Sequence, residues 1–392
     1  MNRTAVTCTC VATLGLLGSV AMLNAGPLTP PAGPVVSSYK TLTEVEPRTP
    51  ISLATTPGDA NSLFRITLPG SYYLTENVAG VIGKRGIEIA AEGVTIDLMG
   101  FALSGVPGSL DGIVIETSVV RGGATIMNGT VQGWDGDGVD VAFADVAGGR
   151  GGRIEGVYSR ANAGAGFRVS DACIVVNCYA GQNGGSGFDP GNNAVFENCI
   201  AQANSGDGFA LGFGCTYINC EARVNVLNGF VANTSALSNC SATFNEQNGF
   251  QLTSSIIDAC QSSDSGGIGI VVSQSLVRGC SVMSNTGGGI RTSTSSLIQS
   301  NRVQSGAFGI QATGTDNRIE GNNCTGATRG IDIDVAGNVI VRNTCSGNTT
   351  NWDVVIGNVC LVVTAANTTA AITGNSGGTA PGSVDPNANF TY

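Results

Sequence analysis

Residues 187–207 read GFDPGNNAVFENCIAQANSGD, residues 208–228 read GFALGFGCTYINCEARVNVLN, and residues 229–248 read GFVANTSALSNCSATFNEQN. Each segment begins with a Gly-Phe step, carries a cysteine near its middle and has an asparagine close to its end. On both sides of these segments, a glycine followed by Phe or Ile recurs at steps of 20 or 21 residues. The glycines of this column are Gly166, Gly187, Gly208, Gly229, Gly249, Gly269, Gly289, Gly309 and Gly330. A fixed period of this length predicts a solenoid in which every repeat stacks on the next.

The rest of each repeat is built from short apolar patches. A second column consists of Cys178, Cys199, Cys220, Cys240, Cys260 and Cys280, and it continues as Asn301, Asn322 and Asn343. An apolar residue stands three positions before each member, and a small or β-branched residue stands two positions after it. Patches of two or three residues with alternate spacing predict strands, and the intervening Gly and Asn supply left-handed backbone positions for bends. The pattern predicts an all-β coil with three parallel strands per turn and about 12 rungs.

The composition excludes several classes of function. The formal charge is −10, so the chain lacks the basic surface that nucleic acid binding requires. Histidine is absent, which removes Ser-His-Asp and Cys-His catalysis and most zinc sites. Lysine occurs only at Lys40 and Lys84, so any catalysis has to depend on Asp, Glu, Arg, Tyr or a bound metal.

The two ends of the chain differ from the repeats. Residues 1–25 have the pattern of a signal peptide, with Arg3 before an apolar stretch over residues 11–23, and no second such segment follows. We therefore expect a protein that is secreted, periplasmic or at the cell surface, without a membrane span after cleavage. Residues 26–80 are assigned to an extended leader and an N-terminal cap, 81–350 to the coil, and 351–392 to a C-terminal cap with a loose tail from about 374.

The repeat columns resemble the right-handed parallel β-helix of the pectate-lyase-like superfamily, with its Asn-x-Ile and Gly-Ile signatures. The resemblance covers about residues 81–350, and residues 94–101 (VTIDLMGF) resemble the start of the coil in secreted bacterial members. It implies a single-chain, right-handed parallel β-helix with caps at both ends. It does not decide the function, because lyases, hydrolases, epimerases and non-catalytic surface proteins share this fold.

Three of the columns have both a functional and a structural interpretation. The stacked cysteines could form a disulfide or redox ladder, or they could be small apolar filler in a narrow core. The asparagines Asn183, Asn204, Asn225 and Asn245 could contact a glycan, or they could hydrogen-bond along the stack. The aromatic column alternates with apolar neighbours, so we expect it inside the coil; its members are Phe167, Phe188, Phe209, Phe230 and Phe250.

An acidic patch in the early turns is the best functional candidate. Alignment on the Gly-apolar step places Asp111 and Asp137 in one column on adjacent rungs, about one strand spacing apart. Two carboxylates that close repel each other unless a cation lies between them or one is protonated. Thiol-free, oxygen-rich surroundings suit calcium (Ca2+). The remaining members of the patch are Glu116, Trp134, Asp135 and Asp140.

One hypothesis is a calcium-assisted site, with Asp111, Asp135, Asp137 and Asp140 as metal ligands. In pectate-lyase-like enzymes an arginine or lysine base acts beside aspartate-bound calcium, and this resemblance implies Arg168 as the catalytic residue. Arg160 would bind a substrate carboxylate, and Trp134 would stack on a sugar ring.

The alternative is an exposed acidic turn in which Asp140, Arg168 and Asp189 form a column of ion pairs. A second pair, Asp332 and Asp334, resembles the paired aspartates of polygalacturonase-type hydrolases, but the histidine motif of those enzymes is missing.

Two functions therefore remain open. The uniform late repeats favour a non-catalytic secreted protein for extracellular polysaccharide binding, adhesion or envelope structure. The early Gly-apolar steps, from Gly86 to Gly166, are 26, 26 and 28 residues long, so loops lie over the same turns as the acidic patch. Loops of this kind build clefts, which keeps open the alternative of a calcium-dependent polysaccharide lyase or a related carbohydrate-active enzyme.

Overall fold

A computed structural model describes residues 46–116, 122–142, 151–304, 306–363 and 385–391. The chain divides into two compact units, Met1–Pro47 and Arg48–Tyr392, and the second contains all the described strands. The segment assigned to a signal peptide lies outside the described residues, and so do residues 117–121 and 143–150 of the longer early turns.

One sheet, which we call face 1, contains the Gly-Phe and Gly-Ile steps of the repeat. Its strands pair in parallel with their neighbours one turn before and one turn after. The strands of face 1 are Ser62–Ile66, Arg85–Ile89, Ile113–Ile115, Val139–Asp140, Phe167–Arg168, Phe188–Asp189, Phe209–Phe213, Phe230–Asn233, Phe250–Thr253, Ile268–Ser273, Gly288–Thr292, Phe308–Ala312, Arg329–Ile333 and Thr350–Val354.

The second sheet supplies the two other faces, and the strands Thr125–Gln132 and Arg153–Arg160 run through both of them. Face 2 contains Thr49–Pro50, Gly70–Tyr73, Val94–Asp97, Ile174–Val176, Val195–Glu197, Thr216–Ile218, Ala236–Ser238, Ile256–Asp258, Leu276–Arg278, Leu297–Gln299, Arg318–Glu320, Val339–Val341 and Val359–Cys360. Face 3 contains Val78–Ala79, Ala102–Ser104, Tyr179–Gly181, Ile200–Gln202, Glu221–Arg223, Ser241–Thr243, Gln261–Ser263, Ser281–Met283, Arg302–Gln304, Asn323–Thr325, Thr344–Ser346, Val362–Val363 and Asn389–Thr391.

The chain is a right-handed parallel β-helix: the period predicted the coil of parallel strands, and the family resemblance implied its hand. Face 1 has 14 strands, so the estimate of about 12 rungs was slightly low. The difference arises at the two ends. Two segments that the sequence placed in the caps or at their border pair in parallel with the neighbouring strand of the coil. They are Ser62–Ile66 and Thr350–Val354.

The aromatic column fills the core of the middle turns. Phe167, Phe188, Phe209, Phe230 and Phe250 are fully buried, and successive rings stack with their centroids 4.6 to 5.0 Å apart. Stacking follows from the parallel register, which sets identical side chains one strand spacing apart. The predicted interior position of this column is confirmed.

The corners match the prediction of left-handed Gly and Asn residues in part. At the corner from face 2 to face 3 these residues include Asn177, Asn198 and Asn219, with φ of 53 or 54°. At the corner from face 3 to face 1, the left-handed residues are Gln182, Ala203, Val224 and Phe244, with φ between 55 and 57°. The asparagines Asn183, Asn204, Asn225 and Asn245 each follow one of these residues and are buried. Each of the first three amide side chains donates to the next asparagine Oδ1 at 2.9 to 3.0 Å. The asparagine column therefore stabilises the stack and has no surface for a glycan.

The glycine column is explained by close approach of neighbouring turns. A Cβ on Gly208 would lie 2.7 Å from the Gly229 carbonyl oxygen and 2.9 Å from the Asn225 amide nitrogen. Real Cβ atoms do not come so close to backbone, so this position on face 1 accepts no side chain. Glycine therefore recurs where the backbone of each turn lies directly against the backbone and the asparagine side chain of the next turn.

All eleven cysteines of the described residues are free, and only Cys360 is partly exposed. Cys199, for example, donates from Sγ to the Val175 carbonyl at 3.4 Å. Burial raises the pKa of Cys280 to about 12, so that thiol stays protonated. The column is apolar filler, which was the structural interpretation of the sequence.

The C-terminal segment corrects the prediction of a loose tail from about residue 374. Residues 364–384 lie outside the described residues, but Asn389–Thr391 forms a strand that pairs with Thr344–Ser346 and Val362–Val363. Asn389 is fully buried, and its Oδ1 accepts the backbone amide of Asn343 at 2.9 Å. It thus extends the column Asn301, Asn322 and Asn343, which no period in the sequence indicated.

Candidate functional site

The aligned columns of the acidic patch are confirmed on face 1. Asp140 pairs in register with Arg168, and Arg168 pairs with Asp189 on the following turn. The guanidinium of Arg168 lies 3.2 Å from Asp137, 3.6 Å from Asp140 and 3.2 Å from Asp189. We call Asp111, Asp137, Asp140, Arg168 and Asp189 the charged cluster.

Two members of the charged cluster also hold successive turns together. Oδ1 of Asp111 accepts the backbone amide of Asp137 at 2.9 Å, and Oδ1 of Asp137 accepts that of Ala165 at 2.6 Å. Asn228 and Asn248 occupy the same position later in the coil and make the same kind of bond to the next turn. One oxygen of each aspartate is therefore committed to the backbone, and the other remains for the cluster.

Burial dominates the electrostatics of the cluster. It raises the pKa of Asp140 from its ordinary 3.8 to about 6, against the opposing effects of the Ala142 amide and of Arg168. Burial also raises the pKa of Asp137. Burial works to lower the pKa of Arg168, but Asp137 and Asp140 outweigh it, so that pKa is raised. A guanidinium held in its charged form accepts no proton, which disfavours the predicted role of Arg168 as a base.

The four predicted metal ligands are not gathered into a calcium site. Asp135 points elsewhere and accepts the Gly108 amide at 2.6 Å. The positive charge among Asp137 and Asp140 is the Arg168 guanidinium, where the hypothesis required a metal ion. In the part of the chain that the structure describes, no group of three or more acidic, Cys or His side chains is arranged to hold a metal ion. The donor set does not fit calcium.

Ion pairs continue from the charged cluster toward the first turns of face 1. Arg85 lies 4.0 Å from Asp111 and 3.7 Å from Glu88. Arg65 lies 3.8 Å from Glu88 and forms an ion pair with Glu116. Opposite charges on neighbouring turns thus alternate along this end of the face, as the ion-pair interpretation predicted for Asp140, Arg168 and Asp189.

The predicted sugar-stacking role of Trp134 is wrong, because the side chain is only 1% exposed. Its indole nitrogen donates to the Leu103 carbonyl at 3.2 Å. The ring fills space left by glycines of earlier turns: a Cβ on Gly80 or on Gly86 would lie 2.9 Å from it. Trp134 stands one turn before Asn162 in the asparagine column, and its backbone amide donates to Asn162 Oδ1 at 3.1 Å. The Trp134 side chain is therefore part of the core.

Arg160 lies on face 3 and is not brought together with Arg168. It is exposed, pairs in register with Gln132 and Gly181, and donates from Nε to Gln132 Oε1 at 2.9 Å. Its neighbours include Tyr158 and Tyr179, two outward-facing aromatic residues that the sequence interpretation missed. The signal was available, because the inward column of Ala180 requires that Tyr179 points outward.

Asp332 and Asp334 share one outer surface of face 1, where Gln311 donates to both at 3.0 Å. Asp332 is nevertheless covered, with a side chain that is 2% exposed, because Arg329 lies over it at 2.7 Å. A carboxylate that is hidden in this way does not match a paired catalytic site.

The comparisons with known proteins follow the fold and not the sequence. No family model matches the chain, and no curated protein matches it. Among solved structures it is similar to the A-module of the mannuronan C-5 epimerase AlgE4 of Azotobacter vinelandii. The two chains are 16% identical over 74% of this chain and 91% of that one, with a TM-score of 0.50.

The AlgE6 A-module of the same organism gives 19% identity over 74% and 90% of the chains and a TM-score of 0.48. PfbA, a surface adhesin of Streptococcus pneumoniae, gives 9% over 71% and 83%, with a TM-score of 0.23. Likeness at these identities shows the fold alone, that of a parallel β-helix protein. No helix among the described residues is long and apolar enough to span a membrane.

Proposed function

We propose that the chain is an exported β-helix protein that binds an extracellular polysaccharide without cleaving it. One observation carries the non-catalytic part: the guanidinium of Arg168 lies within ion-pair distance of Asp137, Asp140 and Asp189. A cation compensated by three carboxylates is neither a base nor a free docking point for a substrate carboxylate. The cluster then links the early turns, although exposed ion pairs contribute weakly to stability and desolvation offsets the attraction of half-buried ones.

The polysaccharide part is supported by the similar fold and by the surface of the coil. The AlgE4 module, similar in fold over most of its length, is a mannuronan C-5 epimerase. A regular coil presents long rows of outward side chains, to which an extended polymer can bind along many turns. The apolar segment over residues 11–23 supports export to the periplasm, the cell surface or the medium, where such polymers occur.

The test is a panel of acidic and neutral polysaccharides, each with and without Ca2+, that scores binding and unsaturated product separately. We expect binding to at least one polymer, no unsaturated product, and no dependence on Ca2+. Product formation would overturn the non-catalytic proposal. Absence of binding to every polymer would overturn the polysaccharide proposal and leave a purely structural role.

A second candidate, a polysaccharide lyase, is favoured by the raised pKa of Asp140, about 6. A carboxyl group with this pKa exchanges protons near neutral pH and suits acid-base catalysis. If the panel reveals product, Asp140→Asn should abolish it, whereas Asp258→Asn, which changes an ion pair on face 2, should not.

A further inference from the structure

Two tyrosine rings form an exposed aromatic surface on face 3. Tyr158 and Tyr179 are paired in register on adjacent turns, with ring centroids 5.7 Å apart and planes tilted by 34°. Tyr158 is 54% exposed. The Tyr179 ring lies across Gly181, where an added Cβ would collide with the ring. Because it lies over a residue without a side chain, the ring packs against the sheet and stays partly exposed, and its hydroxyl donates to Gln202 Oε1 at 3.3 Å.

An uncompensated positive charge lies beside this surface. Arg160 is exposed, and the register places it opposite Gly181, over which the Tyr179 ring lies. Within the described ranges no carboxylate comes within ion-pair distance of Arg160, and the one hydrogen bond that its guanidinium makes there is from Nε to Gln132 Oε1. The two terminal nitrogens of the guanidinium are thus available for a bidentate contact with a carboxylate.

A hollow of about 280 Å³ continues the aromatic surface along the coil. Tyr158 forms one wall, and the other lining residues are Gly100, Asn128, Gly129, Thr130 and Gly156. These residues come from three consecutive turns, and Tyr179 adds a fourth. Four turns span about 14 Å, which is room for about three residues of an extended sugar polymer.

We propose that Tyr158, Tyr179 and Arg160 form a docking site for a carboxylate-bearing polysaccharide that lies along face 3, parallel to the coil axis. The apolar faces of two sugar rings stack on the two tyrosines, and a sugar carboxylate pairs with Arg160. This inference rests on the proposed function, since it gives the location and the charge class of the glycan bound. A nucleic acid also stacks on aromatic side chains, and the net charge of −10 repels both kinds of polyanion, so the oligonucleotide arm of the experiment distinguishes the two.

The experiment measures the dissociation constant of the full chain for a polyuronate, for a neutral glucan and for a single-stranded oligonucleotide. The variants are Tyr158→Ser, the double variant Tyr158→Ser with Tyr179→Ser, and Arg160→Gln. Arg302→Gln is the matched control, because Arg302 is an exposed arginine of the same face on a later turn. Arg168→Gln tests the charged cluster of face 1 in parallel, and a melting curve for every variant checks that the coil is intact.

We expect the polyuronate to bind, with about tenfold weaker affinity for the double tyrosine variant and for Arg160→Gln and no change for Arg302→Gln. Polyuronate affinity unchanged in Tyr158→Ser and Arg160→Gln would overturn the docking site, while the proposed function would stand on another surface. Binding of the neutral glucan alone would overturn the carboxylate class, and preference for the oligonucleotide would overturn the glycan. If nothing binds to the wild type, the proposed function itself fails.

Discussion

Replacing Asp140 by Asn should stabilise the protein above pH 6 and leave its stability nearly unchanged at pH 4. The side chain of Asp140 is 21% exposed, and burial raises its pKa from 3.8 to about 6. A carboxyl group whose pKa is raised in the folded state stabilises the fold most below its unfolded pKa. That contribution is lost as the pH rises through about 6, because the buried group must then ionise.

The size of the effect follows from the shift. A rise of about 2 pKa units corresponds to about 3 kcal/mol at pH 8, at about 1.4 kcal/mol per unit. The Asn side chain keeps an oxygen for the Ala142 amide, which Asp140 accepts at 3.1 Å. Arg168 keeps Asp137 and Asp189 as partners, so the variant loses little else.

The assay is denaturant unfolding of wild type and variant at pH values from about 4 to about 8. Asp258→Asn provides a control of opposite sign, because the Arg278 hydrogen bond lowers the pKa of Asp258. Its stability contribution is present above the unfolded pKa and lost at low pH, so that variant should be the less stable one at pH 8. A difference between Asp140→Asn and wild type that does not change with pH, or a less stable variant at pH 8, would refute the reasoning.

Three further changes test the scaffold by denaturant unfolding. Asn204→Ala removes bonds to the Ala180 carbonyl and to both neighbouring asparagines, and should cost about 3 to 5 kcal/mol. Asn198→Ala, in the exposed ladder, should cost only about 1 kcal/mol, mostly because Ala is less favourable than Asn at a φ of 53°. Gly208→Ala should cost about 1–3 kcal/mol or more from overpacking, whereas at Gly122 an added Cβ meets nothing within 4 Å. Val224→Asn should stabilise by about 0.5–1 kcal/mol, since φ of 57° strains a β-branched residue. Equal losses of stability in Asn204→Ala and Asn198→Ala would contradict the first explanation, and equal losses in Gly208→Ala and Gly122→Ala would contradict the second. A Val224→Asn variant less stable than wild type would contradict the third.

The interior of the coil followed from the sequence because its columns repeat. Phe188 and Cys199 belong to two columns that recur every 20 or 21 residues. In a stack of parallel strands, a residue type that recurs in every turn has the same environment each time. The same alignment put Asp140, Arg168 and Asp189 in one outward row, which the structure confirms.

The failures concern residues that do not repeat. Trp134 has no counterpart in the later turns, and Gly80 and Gly86, which make room for its ring, are not adjacent to it in sequence. Asn389 lies 46 residues beyond the asparagine that it caps, so no period could reveal it. The sequence also could not show that Oδ1 of Asp111 and Oδ1 of Asp137 each accept a backbone amide of the next turn, which leaves fewer oxygens for calcium.

The sequence by itself determined the number of faces, the direction of most side chains and the charge of the early turns. These depend on local alternation and on a constant step, both of which are visible along one chain. Only the tertiary structure decided that Asp137 also compensates Arg168, that Arg160 lies beside two tyrosines, and that the Tyr179 ring lies over Gly181. Side-chain directions on neighbouring turns set those contacts, and the repeat pattern gives only the position of each residue along its turn.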